Sequence, residues 1–227
     1  MRAVLFDLDD TLYPEMEFVR SGFRAVAVHL AARYRRNENS LFARLCDILE
    51  RDGRGKVFDT LLRELGLYTR ERVRVLVYLY RSHRPSLRCA PAALRVLRSL
   101  RRRGMRLGIV TDGMASVQRR KITALGLEKL FHAIVCTDEL GDGCAKPSPA
   151  PYRVACELIG VPPPETAYVA DDPAKDFIAP NAMGMMTIQV GWKVPHARGG
   201  SAGEGALGCV TVDTLKEILP LLKGRKK

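Results

Sequence analysis

Asp7-Leu8-Asp9-Asp10-Thr11 stands directly behind the apolar run Ala3-Val4-Leu5-Phe6. Side chains two apart on a strand share a face, so Asp7 and Asp9 are expected to project together where such a strand ends. Two carboxylates placed like that repel each other unless a cation or a shared proton holds them. Two further apolar runs close on polar groups. Thr111-Asp112-Gly113 follows Leu107 to Val110, and Asp171-Asp172 follows Ala167 to Ala170. Lys146-Pro147 leads into another helical segment. A set of carboxylate oxygens suits a hard cation such as Mg²⁺. A hydroxyl followed by backbone N–H groups around a glycine suits phosphate oxygens. A lysine nearby could neutralise both that phosphate and a carboxylate nucleophile.

The elements that must position these groups follow from the periodicity. Ala3 to Phe6 is short, apolar and bounded, as a buried parallel strand is. From Pro91 onward helices and strands alternate: a helix carrying Leu94, Leu97 and Leu100, a strand over 107–110, a helix from Ser116 to Leu125, a strand over 133–136 and a helix from Pro151 to Ile159. A strand over 167–170, a helix from Lys175 to Met183 and a strand over 186–190 complete the series. Such alternation predicts an α/β fold: a Rossmann-like parallel sheet with right-handed crossovers, with ligands bound at the carboxyl ends of the strands. Residues 13–89 read instead as four short amphipathic helices, with Ser40 as N-cap of the second and a start near Thr69 for the fourth. The predicted organisation is a core of residues 1–12 and 90–227 with a helical insert over 13–89. Arg198 to Gly208, rich in Gly and Ala, reads as a mobile loop, and Lys223 to Lys227 as a frayed tail.

Composition excludes several classes. The 227 residues, 47% of them hydrophobic, contain no apolar stretch near the ~20 residues of a membrane helix. The chain enters a strand at once without a signal-peptide pattern, which predicts a soluble cytoplasmic protein with no membrane partner. Six cysteines (Cys46, Cys89, Cys136, Cys144, Cys156, Cys209) and four histidines (His29, His83, His132, His196) are scattered, which argues against a structural zinc site. The net charge of +12 comes from arginines spread over helices, without an aromatic-interleaved stripe. That pattern reads as solvated helix faces, and nucleic acid is not an expected partner.

Taken in order, the motifs resemble those of the haloacid dehalogenase superfamily over nearly the whole chain. Asp7-Leu8-Asp9-Asp10-Thr11-Leu12 is similar to that family's first motif, Thr111-Asp112-Gly113 to its second, Lys146-Pro147 to its third and Asp171-Asp172-Pro173-Ala174-Lys175-Asp176 to its fourth. The helical insert resembles the family's C1 cap. Two positions depart from the pattern: Ala170 stands where the fourth motif usually has Gly, and Asp112 where the second more often has Asn, which puts a carboxylate near the expected anion.

The resemblance implies a phosphomonoesterase acting on a small phosphorylated molecule such as a nucleotide or sugar phosphate. Asp7 would be the nucleophile and Asp9 the general acid and base. Mg²⁺ would be held by Asp7, the Asp9 carbonyl and Asp171, with Asp172 or Asp176 behind them. Thr111, the Asp112 and Gly113 amides and Lys146 would bind the phosphoryl oxygens, and Asp176 would also orient Lys146 through a salt bridge. The acid at Asp9 favours phosphoester over dehalogenation chemistry. The insert's one lysine, Lys56, follows Gly55 in an expected loop, which disfavours Schiff-base chemistry. A phosphomutase shares the same core motifs and stays open, as does a non-catalytic phosphate-binding role. Asp9-Asp10-Thr11-Leu12-Tyr13-Pro14 also resembles pyrimidine 5′-nucleotidases and sugar-phosphate phosphatases. Tyr13 and Pro14 either line the site or form a hinge turn, the hinge being the expectation. Arg20 and Arg24, one turn apart on the first insert helix, are candidates for selecting a leaving group with a second anionic or hydrogen-bonding moiety.

Overall fold

A computed structural model of the chain describes residues 1–191 and 210–222. The stretch 198–208, the tail 223–227, His196 and Cys209 lie outside the described residues. The chain divides into two compact units, residues 1–14 with 88–222 of the described chain, and residues 15–87.

In the first unit the strands are β1 (Ala3–Phe6), β2 (Arg106–Thr111), β3 (Ala133–Cys136), β4 (Thr166–Ala170), β5 (Met186–Val190) and β6 (Val210–Val212). They form one parallel sheet in the order β3-β2-β1-β4-β5-β6. The helices of this unit are α5 (Pro91–Arg102), α6 (Ala115–Ala124), α7 (Ala150–Ile159), α8 (Ile178–Ala182) and α9 (Ile218–Leu221). All four residues of β1 are fully buried, which explains why the strand is a continuous apolar run rather than an alternating one. The strand order turns back between β1 and β4. Loops leaving those two strands diverge, and the crevice between them is where an open α/β sheet accepts ligands.

The second unit is helical: α1 (Glu15–Tyr34), α2 (Glu38–Asp52), α3 (Val57–Glu64) and α4 (Arg70–Ser82). Its core joins Phe23, Val26 and Leu30 of α1 with Leu41, Leu45 and Ile48 of α2, Leu61 and Leu62 of α3 and Leu76 of α4. Edge-on contacts of the Phe58 ring with Phe23 and Tyr80, at centroid distances of 6.0 and 5.7 Å, add directional packing. Thr69 caps α4, its hydroxyl accepting from the Arg72 N–H at 3.1 Å.

Three elements differ from the sequence expectation. Helix α2 starts at Glu38 because Asn37, not Ser40, is its cap: the Asn37 side chain accepts from the Ser40 N–H at 2.9 Å, which puts Ser40 inside the first turn. The helix expected from Lys175 to Met183 is only the five-residue α8. Residues 172–176 are instead held in a turn by Asp172, whose carbonyl accepts from Asp176 N at 3.0 Å and whose Oδ1 accepts from Ala174 N at 3.0 Å. Strand β6 is three residues long, too short for alternation to signal it.

Arg24 is tied within its own unit. Its guanidinium donates to Glu38 Oε1 at 3.1 Å and Asn39 Oδ1 at 2.9 Å, and lies 3.9 Å from the Phe42 ring centroid. Arg20 is exposed. The described cysteines are free thiols. Among the described residues no helix is long and apolar enough to cross a membrane.

Gly108 lies beside Leu5 in the β1–β2 register, and a Cβ there would come within 2.6 Å of Leu5 Cδ2. The Leu5 side chain fills the space that a side chain at position 108 would need. Gly108→Ala should therefore destabilise the protein by about 1–3 kcal/mol, the usual cost of overpacking a filled core. Urea denaturation with an unchanged m-value would register it, and a loss within error would show that Leu5 has room to move.

Candidate active site

The backbone of β1 carries its ladder one residue beyond the strand: Asp7 N–H donates to Val169 O at 2.9 Å. Asp7 is thereby fixed at the β1–β4 crevice, 4% exposed, opposite the point where β4 delivers Asp171. Carboxylate oxygens of Asp7, Asp171 and Asp176 all lie within 4.8 Å of one another. Between two of them sits Lys146. Its ammonium donates to Asp7 Oδ1 and Asp176 Oδ1, both at 2.6 Å, and to the Tyr168 hydroxyl at 3.3 Å. The lysine side chain is fully buried.

Asp176 is surrounded by donors. Besides Lys146, Tyr168 donates to its Oδ1 at 2.9 Å and Asp172 N–H to its Oδ2 at 3.2 Å. Its backbone carbonyl accepts from the Tyr152 hydroxyl at 3.2 Å. It therefore behaves as an anchor for the lysine, whereas Asp171 accepts from the Thr11 hydroxyl at a long 3.4 Å. The short turn that replaces the expected helix start is what brings Asp176 back toward Lys146.

These environments are visible in the acidities. Burial pushes the Asp7 carboxyl up to about 6, with the Asp176 charge adding to it and Lys146 opposing. Burial, then the charges of Asp7, Asp176 and Asp10, push Asp171 up to about 8. Burial alone would lower the Lys146 ammonium, but the Asp7 and Asp176 carboxylates outweigh it and hold it well above its ordinary value.

Asp9 lies in a second group. The chain turns through Asp10 at φ 54, a left-handed conformation that Asp tolerates better than most residues. Beyond the turn, Lys121 of α6 donates to both Asp9 oxygens at 2.8 Å, Gln118 Nε2 donates to Asp9 Oδ2 at 2.9 Å, and the Tyr13 hydroxyl donates to Asp9 Oδ1 at 2.5 Å. Burial raises the Asp9 carboxyl, but the Lys121 charge and hydrogen bond, with those from Tyr13 and Gln118, outweigh it and hold Asp9 below its ordinary value. The two carboxylates thus engage separate ammonium groups, Lys146 for Asp7 and Lys121 for Asp9.

Tyr13 is fully buried and bonded to Asp9, which makes it part of this group and more than a hinge turn. Lys121 and Gln118 escaped the sequence reading. The available signal was that they share a helix face with Val117, Ile122 and Leu125, so polar residues occupy core positions; both are 2–4% exposed.

Thr111 closes β2, buried, its hydroxyl accepting from Gln118 Nε2 at 2.5 Å. Gly113 follows at φ 108, a conformation that favours glycine and lets the chain turn into α6. The Asp112 carboxylate accepts from the Thr137 hydroxyl at 2.9 Å and the Lys146 N–H at 3.1 Å. It thus ties β2 to the lysine-bearing loop, where the sequence expectation set it beside an anion. Asp172 turns back on its own loop, toward Ala174 N at 3.0 Å and Lys175 at 4.0 Å. Asp7, Lys146, Asp171 and Asp176 are therefore one cluster, and Asp9 with Thr111 belongs to the α6 group.

Comparison with known proteins gives a consistent picture. Residues 1–184 match the family model described as haloacid dehalogenase-like hydrolase. The chain is 33% identical over 198 residues to a glyceraldehyde 3-phosphate phosphatase of Methanopyrus kandleri, covering 84% of each chain. It is 28% identical over 232 residues to a protein of the same name from Methanocaldococcus jannaschii, covering 100% of this chain and 99% of the relative. Among solved structures, an HAD phosphatase from Thermococcus onnurineus shares the fold at TM-score 0.62 and 24% identity, covering 99% of each chain.

The raised acidities give a pH test. Asp171, about 8 when folded against 3.8 ordinarily, keeps in the folded state a proton that the unfolded chain has released. Its contribution to metal-free stability is accordingly present at low pH and lost as pH rises from about 4 through about 8. A divalent cation must displace such protons, so its stabilisation grows over that window. Thermal melts with and without Mg²⁺ should show a gap that widens between pH about 6 and pH about 8, the two folded values of Asp7 and Asp171. A gap that is constant or narrows would mean the cation binds elsewhere.

Proposed function

Because the chain belongs to the haloacid dehalogenase-like hydrolase family, we propose that it hydrolyses a small phosphomonoester through an aspartyl-phosphate on Asp7, with Mg²⁺ as cofactor. The observation that carries the reading is the buried Lys146 shared by Asp7 and Asp176 at the β1–β4 crevice, with Asp171 alongside. A nucleophilic carboxylate, a fixed cation to draw in phosphoryl oxygens and a further carboxylate for a metal are what phosphoryl transfer requires of its protein.

The donor set fits a hard divalent cation. Asp7 and Asp171 are all-oxygen ligands whose burial makes them costly as bare anions, and Asp176 is already taken by its donors. Asp7, Asp171 and the Asp9 carbonyl are assigned to the ion, with Asp172 and Asp176 behind them. When bound, Mg²⁺ supplies charge that favours the ionised carboxylates and offsets the charge of the phosphoryl group.

Every other role falls to the chain itself. An Asp7 oxygen bonds to phosphorus as the ester P–O bond breaks, and the leaving oxygen takes a proton from Asp9. In the second half Asp9 takes a proton from water, the water oxygen bonds to phosphorus, and the Asp7–phosphorus bond breaks. The products are an alcohol and phosphate. Lys146 and the Thr111 hydroxyl, with the Asp112 and Gly113 amides, are assigned to the phosphoryl oxygens. The helical unit over 15–87 is assigned the role of a C1 cap. The names of the relatives make glyceraldehyde 3-phosphate the first substrate to try, followed by other sugar phosphates and nucleotides.

The reading is tested by phosphate release from that panel with Mg²⁺ and with EDTA. Activity should require the metal, and Asp7→Asn should abolish it while leaving the thermal melt nearly unchanged. Asp9→Asn should slow alkyl phosphates by about 10²–10⁴-fold, and p-nitrophenyl phosphate, whose leaving group needs little protonation, by less. Full turnover in EDTA, or an active Asp7→Asn protein, would sink the assignment. Transfer of the phosphoryl group to a second hydroxyl instead of water would make the protein a mutase.

A further inference from the structure

Helix α6 reaches two site groups with two side chains. Gln118 and Lys121 are one turn apart, and both are almost wholly withdrawn from solvent. Gln118 Nε2 donates to Asp9 Oδ2 at 2.9 Å and to the Thr111 hydroxyl at 2.5 Å, so one amide joins the residue assigned to proton transfer to one assigned to phosphate binding. Lys121 spans both Asp9 oxygens at 2.8 Å, which fixes the plane of the carboxylate as well as its place. Tyr13 completes the arrangement from the β1 side at 2.5 Å.

Stability alone is a weak reason for such a cluster. Taking an ion pair out of water carries a desolvation penalty for each ion, and well-packed apolar residues of the same volume often stabilise a fold as well or better. A simple countercharge would also need only one oxygen. What the arrangement supplies is orientation: donors from three side chains leave the Asp9 carboxylate little freedom to rotate.

The geometry points to Gln118 and Lys121 as positioning residues that hold Asp9 and Thr111 in one frame, so that proton transfer at the leaving oxygen and grip on the phosphoryl group are set from a single helix. This rests on the phosphatase reading above. Lys121 donates to both Asp9 oxygens, so its role is in the proton-transfer step. Gln118 touches both Asp9 and Thr111, so its loss reaches binding as well.

Steady-state kinetics of the full-length Mg²⁺ protein on an alkyl phosphate and on p-nitrophenyl phosphate separate the roles. Lys121→Met should lower kcat on the alkyl ester by about 10²-fold, the scale of a misplaced catalytic group, with KM little changed and a fall of under about tenfold on p-nitrophenyl phosphate. Gln118→Leu should show the same leaving-group bias together with a raised KM for both esters. Thermal melts of both variants accompany the assays. Equal losses on the two esters, no loss on either, or failure of both variants to fold would assign the cluster to structure and overturn the proposal. If one variant fails to fold, the leaving-group bias of the other decides. Wild-type protein inactive on both esters would instead count against the phosphatase reading.

Discussion

A buried lysine cannot stand alone. The Lys146 ammonium, with no solvent exposure, requires opposite charge within hydrogen-bond reach, and it takes Asp7 and Asp176 at 2.6 Å each. That requirement binds three distant stretches of chain. Asp7 has to come from the end of β1, Asp176 from the turn beyond β4, and the lysine from the loop that enters α7. Asp112 then secures the lysine's own backbone N–H at 3.1 Å from the end of β2. Without both carboxylates the buried ammonium would be left, among the hydrogen bonds given above, with the Tyr168 hydroxyl at 3.3 Å.

The parallel sheet makes this convergence possible. All its paired strands run one way, so every strand delivers its following loop to the same edge, and the reversal of order between β1 and β4 opens the gap there. Close packing sets the spacing. Gly108 leaves room for the Leu5 side chain, and β4 accepts the Asp7 N–H at 2.9 Å. Ala170, where the related motif carries Gly, is fully buried at the end of β4 and keeps its strand pairing with Gln189. The substitution is therefore accommodated within regular strand geometry.

The strand ends were legible in the sequence because fully buried parallel strands are apolar runs and their terminal polar groups interrupt them sharply. Asp7, Thr111 and Asp171 could be placed on that basis alone. Pattern failed where side chains act across the fold. Lys121 and Gln118 sit at core positions of α6, but no local rule says that a buried lysine will find a carboxylate 112 residues away. Tyr13 reads as a turn beside Pro14, and its role emerges only from the reversal at Asp10. Pattern places the start of α2 too late because Asn37 and Ser40 are both good caps, and which one holds the helix depends on which residue is extended. The shortened α8 has the same origin in tertiary demand, since Asp176 is needed at Lys146 more than in a helix.

Asp7 and Asp9 are two residues apart, yet the fold drives them in opposite directions. Burial beside Asp176 raises Asp7 to about 6, while Lys121 and its companions hold Asp9 below its ordinary value against the same pull of burial. Divergent environments for neighbouring carboxylates are the usual means of giving them different tasks. For the acid–base role proposed for Asp9 the consequence is specific. A carboxylate that first gives a proton and then takes one is served poorly by an extreme acidity in either direction. The lysine favours the form that accepts a proton from water, and donation to the leaving oxygen runs against it. On the proposed mechanism, the same contacts that aim the carboxylate resist one half of the reaction. The Tyr13 and Gln118 donors lower Asp9 in the same direction, but as neutral donors they orient its oxygens without adding a second full charge beside it. An Asp9 held by Lys121 alone would be oriented only through a full positive charge, and the three-sided arrangement is how orientation is gained with only one such charge beside the acid.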